Sequence, residues 1–308
     1  MFPAAILRID QPVFAPKSDR WVAVGLLFAV LLWGANNVVT KLLLKEWPPL
    51  WIGSTRFACA GLLLLSLLRW SSGLGKRTPI TPELSRILWI RGALSLALYI
   101  TVFNCALQLT SPAHLALYLG ASPIWSLVFE SRPRGGHGFR RRYLAASLAM
   151  AGVLVLFWPV LRSGRSQMLG ELLALLAGIL WTLYSHQSRF LAAKLSGVEV
   201  TAHTMWRAAV VLAPLALVES GLALPTMDIT LIGIQAYAVF GGGVMAFTLW
   251  NNALQVWPAS RVFLFGNFIP PVTMLWAWFL LGEPLTATFG AATVLILSGA
   301  LLGQLKPE

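Results

Sequence analysis

The strongest constraint on this chain is an internal repeat within a very apolar sequence. The segment FNCALQ at 103–108 returns as WNNALQ at 250–255, 147 residues later. Offsets of 147 or 148 also relate pairs elsewhere in the two halves: Pro123 with Pro270, Gly152 with Gly299, Trp33 with Trp181, and Lys41 with Arg189. Two like halves that face each other across a membrane midplane can enclose a substrate site and rock around it. The repeat therefore predicts a transporter.

The composition excludes a soluble globular protein. Of the 308 residues, 57% are hydrophobic and 11% are charged, and the mean hydropathy is +0.74, far from the balance of soluble domains. Ten apolar stretches each approach the ~20 residues that a helix needs to cross the hydrocarbon core. They lie at 21–44, 49–70, 86–107, 112–130, 142–160, 168–191, 199–220, 229–255, 257–281 and 286–305.

These stretches predict helices, because a segment in lipid must satisfy its own backbone polar groups and because they are too long for barrel strands. We expect an all-α integral membrane protein with ten transmembrane helices, five in each half. The predicted organisation is a cytoplasmic N-terminal tail at 1–20, a first repeat at 21–160 and a second repeat at 168–305.

The net charge of +12 is explained by membrane topology. If the N-terminus is cytoplasmic, the loops on the opposite side hold little beyond Lys41, Lys45, Arg162 and Arg165. The loops on the N-terminal side carry Arg69, Lys76, Arg77, Arg86, Arg132, Arg134, Arg140, Arg141, Arg142, Arg189 and Lys194. This asymmetry predicts that both termini are cytoplasmic. Juxtamembrane arginines are typical of contact with anionic lipid, so we expect no nucleic-acid partner.

The sequence offers no pattern of an enzyme or of a metal site. Cys59 and Cys105 both lie in predicted helices and form neither a disulfide framework nor a metal motif. Residues 1–20 lack the continuous apolar core of a cleaved signal. No catalytic residue, cofactor or metal is expected. The expected partners are a small-molecule substrate and membrane lipids, with a monomer or a homodimer as the open alternatives.

Two groups of motifs resemble the EamA branch of the drug/metabolite transporter superfamily. The opening of the first half carries Trp33-Gly34-Ala35-Asn36-Asn37, Lys41, Pro48-Pro49 and Arg56-Phe57, and the end of the second half carries Pro270, Leu281-Gly282-Glu283-Pro284-Leu285 and Ser298-Gly299. The resemblance implies a ten-helix carrier of two inverted five-helix repeats. It also implies a bacterial inner membrane and, usually, the export of small metabolites such as amino acids.

Two arginines inside predicted helices are the costliest residues of the chain. Arg56 and Arg207 each lie ~10–12 Å from a helix end at 1.5 Å per residue, where an arginine costs up to ~3 kcal/mol on insertion scales. They are candidates for a gating or electrostatic role toward a substrate carboxylate. Packing and anchoring is the alternative.

Amides and aromatic rings supply the other candidates. Asn37, near the middle of the first helix, is predicted to line a cavity, whereas Asn104 and Asn251, near the ends of the third and eighth helices, are expected to join helices or act as gates. Rings away from the interfacial positions of tryptophan can stack on an apolar substrate group. The predicted substrate-binding residues are Trp33, Asn37, Tyr99, Trp125, Trp181 and Tyr184.

The coupling of transport is left open by the sequence. The carboxylates, among them Glu171, Glu199 and Glu283, lie at predicted helix ends or in loops. His114, His186 and His203 titrate near neutrality when unperturbed, but a lone histidine on a helix is also an ordinary packed residue. Gly241-Gly242-Gly243, Pro123 and Pro270-Pro271 interrupt predicted helices, as either hinges or static kinks.

The sequence thus predicts a secondary transporter that exports a small metabolite, an amino acid or related amphipathic compound, by alternating access. The alternatives are a carrier of a cationic drug, nucleobase or anionic metabolite, and a non-transporting membrane scaffold. A membrane enzyme would need converging titratable groups, and the scattered histidines do not supply them.

Overall fold

The predicted apolar stretches form helices. The computed structural model describes residues 19–70, 77–129, 137–159, 165–257 and 259–304, and across these ranges the chain is helical with no strand. The predicted all-helical class is therefore confirmed. Most of the predicted tail at 1–20, and the arginines Arg132 and Arg134, lie outside the described residues.

The helices of the two halves are named here in chain order. The first half contains α1 (Asp19–Leu43), α2 (Pro49–Trp70), α3 (Pro82–Ile87), a π-helical segment (Leu88–Ala93), α4 (Leu94–Leu109), α5 (Pro112–Gly120), α6 (Ser122–Phe129) and α7 (His137–Phe157). The second half contains α8 (Arg165–Ala192), α9 (Gly197–Glu219), α10 (Ile229–Tyr237), a π-helical segment (Ala238–Ala246), α11 (Phe247–Val256), α12 (Ala259–Gly266), α13 (Ile269–Leu281) and α14 (Ala287–Gln304).

The described residues make this a multi-pass membrane protein. By length and composition, seven helical stretches among them can cross a membrane: Asp19–Leu43, Pro49–Trp70, Pro82–Leu109, Ser166–Ala192, Gly197–Glu219, Ile229–Val256 and Arg261–Leu281. Shorter apolar helices cover Tyr143–Leu156 and Ala287–Gly299. Many large apolar side chains face outward, for example Leu62, Leu154 and Phe279, as expected for a surface solvated by lipid.

Helix breaks occur where the sequence predicted interruptions. α5 ends at Gly120 and α6 begins at Ser122; α12 ends at Gly266 and α13 begins at Ile269. Pro123 and Pro270-Pro271 lie in the first turns of α6 and α13, where a missing N–H is tolerated. The two breaks are 147 residues apart, as are the starts of α5 and α12. The triple glycine lies in the second π-helical segment.

Helices related by the sequence repeat pack against each other. Among the most extensive contacts are those of α2 with α9 and of α7 with α14. The repeat mates Gly152 and Gly299 lie in the second of these contacts: a Cβ on Gly152 would be 2.9 Å from the Ala292 carbonyl oxygen, and one on Gly299 would be 2.5 Å from that of Ala145. Small residues thus let the two backbones approach closely, as is common between helices in lipid.

Replacing Gly299 by Ala should therefore destabilise the protein. The new methyl group would contact backbone rather than a flexible side chain, so α7 and α14 must separate, with an overpacking cost of about 1–3 kcal/mol. Thermal unfolding in detergent measures the effect. Gly290→Ala is the matched control, because Gly290 lies in the same helix and a Cβ added there would have no atom within 4 Å; equal melting temperatures for the two variants would contradict the prediction.

Candidate substrate cavity

A central cavity lies where α1, α2, α4, α8 and α11 meet the two broken helices. Its walls are formed by Trp33, Asn36, Asn37, Arg56, Tyr99, Ile100, Phe103, Leu119, Ser122, Trp181, Phe247, Phe263, Gly266, Asn267 and Ile269. Irregular backbone at membrane depth is tolerated where it lines a cavity or is buried in protein. The cavity is narrow, with about 40 Å³ open to water, room for only a few water molecules.

Aromatic rings form one wall of the cavity. The ring of Trp33 lies 5.2 Å from the rings of both Trp181 and Phe247, in edge-to-face geometry. Tyr99 lies 5.2 Å from Trp181 on the other side. Trp250, fully buried behind them, lies 5.2 Å from Trp33. Such spacing is within the favourable range for aromatic pairs, so the wall is a single packed cluster that presents ring surface to the cavity.

Hydrogen bonds fix two of the predicted cavity residues in place. The Trp33 indole Nε1 donates to the Gly242 carbonyl oxygen at 3.0 Å, and the Asn37 Nδ2 donates to the Thr273 Oγ1 at 3.0 Å. The Gly242 carbonyl belongs to the π-helical segment. Both bonds join α1 to the second half of the chain, so side chains of the two halves hold each other at the cavity.

The polar part of the wall contains atoms without partners. Arg56 is 2% exposed, and it pairs with no carboxylate among the residues that the structure describes. Its Nε, the Asn36 Oδ1 and both amide atoms of Asn267 are buried without a hydrogen-bond partner. Buried polar groups in folded proteins are normally paired. The Arg56 Nε and three amide atoms on residues of the cavity wall therefore lack the partner that buried polar atoms normally have.

Two predicted substrate-binding residues lie outside the cavity wall. Tyr184 is fully buried one turn beyond Trp181 on α8, where the rings of Trp181 and Phe247 cover it at 5.8 and 6.0 Å. Trp125 is half-buried on α6, one turn beyond Ser122, and α6 packs against α8 and α14. The other four, Trp33, Asn37, Tyr99 and Trp181, line the cavity.

The two embedded arginines occupy different environments. Arg207, 4% exposed, donates from Nη1 to the His203 carbonyl oxygen at 3.1 Å and from Nη2 to the Ser85 Oγ at 3.4 Å. Its Cζ also lies 4.3 Å from the centre of the Trp206 ring. Arg207 is therefore partnered within the protein and away from the central cavity, whereas Arg56 faces the cavity without a carboxylate.

Asn104 and Asn251 join helices. The Asn104 Nδ2 donates to the Pro49 carbonyl oxygen at 2.8 Å, and the Asn251 Nδ2 donates to the Thr201 Oγ1 at 2.9 Å. Each repeat mate thus ties its helix, α4 or α11, to the first turns of α2 or α9. Both side chains are buried and neither lines the cavity.

Comparison with known proteins decides the family. The sequence model of the EamA-like transporter family matches residues 20–158 and 168–303. The chain belongs to the EamA-like transporter family. It is 27% identical over 282 residues to the "Probable amino-acid metabolite efflux pump" of Escherichia coli (strain K12), covering 89% of this chain and 91% of that one.

A second relative agrees with this assignment, and a solved structure has a similar fold. The chain is 28% identical to the protein of the same name from Salmonella typhimurium, over 92% of this chain and 93% of that one. A crystal structure of a protein that is 20% identical matches with a TM-score of 0.64, over 93% of this chain and 98% of that chain. That likeness shows a shared fold.

A second, larger cavity of this EamA-like transporter lies at the end of α1 and is called the vestibule here. About 610 Å³ of it is open to water. Its polar lining includes Lys41, Thr110, Ser111, His114 and Glu283. Burial raises the pKa of the Glu283 carboxyl above its ordinary value, and Ser111, His114 and Lys41 partly oppose that rise.

Several cavity residues were not singled out as binding residues from the sequence. Asn36 and Asn267 belong to the group of buried amides, and Phe263 to the group of aromatics within helices, but neither signal separates a cavity wall from packing. Phe247 gave no signal, because a phenylalanine in an apolar helix is ordinary core. Phe247 lies four residues after the triple glycine and directly follows a π-helical segment. The sequence does not predict that the helix changes to π geometry there.

Neutral replacements of the two arginines should change stability in opposite directions. Arg56→Met should leave the melting temperature unchanged or raise it, because it removes a buried charge without a carboxylate. Arg207→Met should lower the stability by about 1–3 kcal/mol, because it removes hydrogen bonds of a charged group and cation–π contacts. Thermal unfolding of the ligand-free protein tests both; a stability loss for Arg56→Met as large as that for Arg207→Met would contradict the prediction.

Proposed function

We propose that this EamA-like transporter is a secondary carrier that exports an amino acid or a related amphipathic metabolite across a bacterial inner membrane by alternating access. The observation that carries the proposal is the central cavity, where unpartnered groups of Arg56, Asn36 and Asn267 face a wall of aromatic rings. The proposed substrate-binding residues are the four predicted ones that line it, Trp33, Asn37, Tyr99 and Trp181, together with these polar groups.

The chemistry of the cavity matches the three parts of an amino acid. Arginine binds carboxylates in planar, bidentate geometry, so Arg56 is the proposed partner of the substrate carboxylate. The Asn267 Oδ1 is an acceptor without a partner and can receive a hydrogen bond of an ammonium group. Trp33, Trp181 and Phe247 present ring surface for an apolar side chain.

The same chemistry ranks the alternatives. A cationic drug without a carboxylate would be repelled by the buried guanidinium of Arg56, and a nucleobase would leave that charge without an anionic partner. An anionic metabolite without an ammonium group remains the second candidate, because Arg56 would serve it equally and the described cavity wall contains no carboxylate. A non-transporting scaffold would not need unpartnered polar groups at mid-membrane, since each costs free energy when buried.

The proposed architecture is ten transmembrane helices in two inverted five-helix repeats, with both termini cytoplasmic. It is supported by the two ranges that the family model matches, by the helix breaks 147 residues apart, and by the contacts between repeat mates. In this arrangement the vestibule faces the outside. The names of the two bacterial relatives support export and the amino-acid class.

The narrowness of the central cavity supports alternating access. The central cavity is much narrower than the vestibule, and we expect its walls to separate when a substrate enters. The hydrogen bonds of Trp33 and Asn37 with the second half are among the contacts that would change as the halves move.

Counterflow into proteoliposomes tests the substrate class. Vesicles loaded with unlabelled leucine or phenylalanine should take up the same radiolabelled amino acid with saturation, and this uptake should be lost in Arg56→Ala and partly restored in Arg56→Lys, which keeps the charge but not the bidentate geometry. The leucine analogues isoamylamine and 4-methylpentanoate, which lack the carboxylate and the ammonium group respectively, serve as competitors.

The competitors separate the two candidates. Weak competition by both analogues fits a zwitterion site, whereas strong competition by 4-methylpentanoate alone would favour the anionic metabolite. Strong competition by isoamylamine, with wild-type uptake in Arg56→Ala, would overturn the role given to Arg56. No counterflow of leucine or phenylalanine in the wild-type protein would contradict the proposed class.

Removal of a cavity ring should abolish uptake without unfolding the protein. Trp181→Ala deletes a ring that contacts Trp33, Tyr99 and Trp250, so we expect a loss of saturable counterflow. Trp278→Ala is the control, because Trp278 lies on α13 and is 54% exposed on the outer surface of the bundle. Expression and thermal unfolding are compared for both; equal uptake by the two variants would remove Trp181 from the proposed site.

A further inference from the structure

Glu171 is a fully buried carboxylate that the substrate cavity does not use. The sequence placed it at a helix end, and it does lie in the second turn of α8, yet it is 0% exposed. Its Oε1 accepts a hydrogen bond from the Thr110 Oγ1 at 2.5 Å and lies 2.8 Å from the His114 Nδ1. Its Oε2 is buried without a partner. Glu199, also buried, differs because both of its oxygens accept hydrogen bonds at the start of α9.

His114 connects this carboxylate to the vestibule. Its side chain is 26% exposed and lines the vestibule together with Lys41 and Glu283. The imidazole therefore contacts the buried oxygen with one nitrogen while the ring reaches a cavity large enough for many water molecules. Such a ring can pass a proton between water and a buried acid.

The titratable groups around the pair come from three other places in the fold. Tyr118, one turn after His114 on α5, interacts with Glu171 without a hydrogen bond of normal geometry. Glu283 and Lys41 face His114 from the α13–α14 connection and from the end of α1. The Lys41 Nζ is held by the carbonyl oxygens of Leu107 and Thr110 at 2.7 and 2.9 Å.

The other end of the repeat carries an equivalent contact with different chemistry. Thr110 and His114 correspond to Trp257 and Arg261, 147 residues later. There the Trp257 Nε1 donates to the Asp19 Oδ1 at 2.9 Å, and the Arg261 Nη2 lies 3.2 Å from the Asp19 Oδ2. This pair is exposed, with 45% and 66% of the side chains accessible. We call the contact of Asp19 with Trp257 and Arg261 the Asp19 clamp. Arginine does not lose its proton in proteins, so the basic partner in this clamp does not exchange a proton.

We propose that Glu171 and His114 form the binding site of a coupling proton, reached from the outside through the vestibule. The inference rests on the proposed function, since it names the ion that drives the carrier. When the pair holds one shared proton, its net charge is zero. The pair is then either an imidazolium beside a carboxylate or a neutral imidazole beside a carboxylic acid. Without that proton, the contact between α5 and α8 would bury an uncompensated negative charge.

The sign of the coupling follows from this cost. Proton uptake from the vestibule stabilises the packed contact of α5 with α8, and proton loss favours a state in which water reaches Glu171. Antiport further requires that this second state opens to the cytoplasm, so that a proton enters the cell in each cycle in which substrate leaves. The contact of Asp19 with Arg261 is the corresponding contact at the end of α11. It does not depend on the coupling proton, so it stays in place through the cycle.

The test uses the full-length protein in vesicles with an acidic interior, where an antiporter accumulates external substrate as protons leave. With radiolabelled leucine or phenylalanine as the probe, wild-type uptake should overshoot its equilibrium level and the overshoot should vanish with a protonophore. Glu171→Gln keeps the size of the side chain and an acceptor for Thr110 but binds no proton. It should lose the overshoot and retain counterflow.

The matched control is Asp19→Asn, which breaks the equivalent clamp. It should leave the ratio of gradient-driven uptake to counterflow at the wild-type value, whatever it does to the absolute rates. If Glu171→Gln does not fold, His114→Gln carries the same test, because it removes the imidazole that contacts the vestibule and leaves the carboxylate in place.

The outcomes separate this inference from the proposed function. An overshoot that persists in Glu171→Gln, or wild-type counterflow without any overshoot, would overturn the proton site and leave the carrier intact. An equal loss of overshoot in Asp19→Asn would show that the loss is not specific to Glu171 and His114, and it would overturn their assignment as the proton site. No counterflow in the wild-type protein would overturn the carrier and this inference together.

Discussion

The structure depends on one constraint: in lipid, every backbone N–H and C=O must find a partner within the protein. Long helices satisfy it at the surface of the bundle, where large apolar side chains face outward. At the breaks between α5 and α6 and between α12 and α13, the regular hydrogen-bonding pattern of the helix is interrupted. Residues at both breaks line the central cavity. The π-helical segment at Ala238–Ala246 follows the same logic, because the Gly242 carbonyl accepts a hydrogen bond from Trp33. Irregular backbone is thus concentrated where a ligand or a second helix can use it.

Two arginines of equal apparent cost in the sequence show how context decides their roles. Arg207 has a carbonyl, a hydroxyl and aromatic faces around it, so its Nη atoms have partners within the protein although its Nε does not. Arg56 has none of these acceptors at hydrogen-bond distance among the described residues, apart from its contact with the Phe57 ring at 5.3 Å. An uncompensated buried charge destabilises a protein unless a partner arrives. Arg56 is therefore the group on the cavity wall whose charge the described residues leave uncompensated.

The sequence predicted the helical class and four of the residues that line the cavity, because mid-helix polar and aromatic residues are costly or unusual in lipid. Trp33, Asn37, Tyr99 and Trp181 are of this kind. It could not separate them from Tyr184 and Trp125, since one helical turn decides whether a ring faces a cavity or a neighbouring helix. Glu171 shows the same limit: its position near a helix end does not reveal its burial, and the packing of α5 against α8 buries it completely. Depth along a helix is readable from sequence, whereas the direction of a side chain around the helix depends on tertiary packing.

Symmetry in the repeat makes the differences between its halves informative. At the end of α4, Lys41 binds the carbonyl oxygen of Thr110 and Glu171 binds its side chain. At the end of α11, Arg189 binds the carbonyl oxygen of Trp257 and Asp19 binds its side chain. Gene duplication alone would give two equal clamps. Instead, one contains a buried carboxylate beside an imidazole, and the other an exposed carboxylate beside a guanidinium. The first contact therefore holds a carboxylate away from water, whereas the second leaves its charged groups in water. The repeat thus keeps the position of a contact between helices while the chemistry of that contact differs between the two halves.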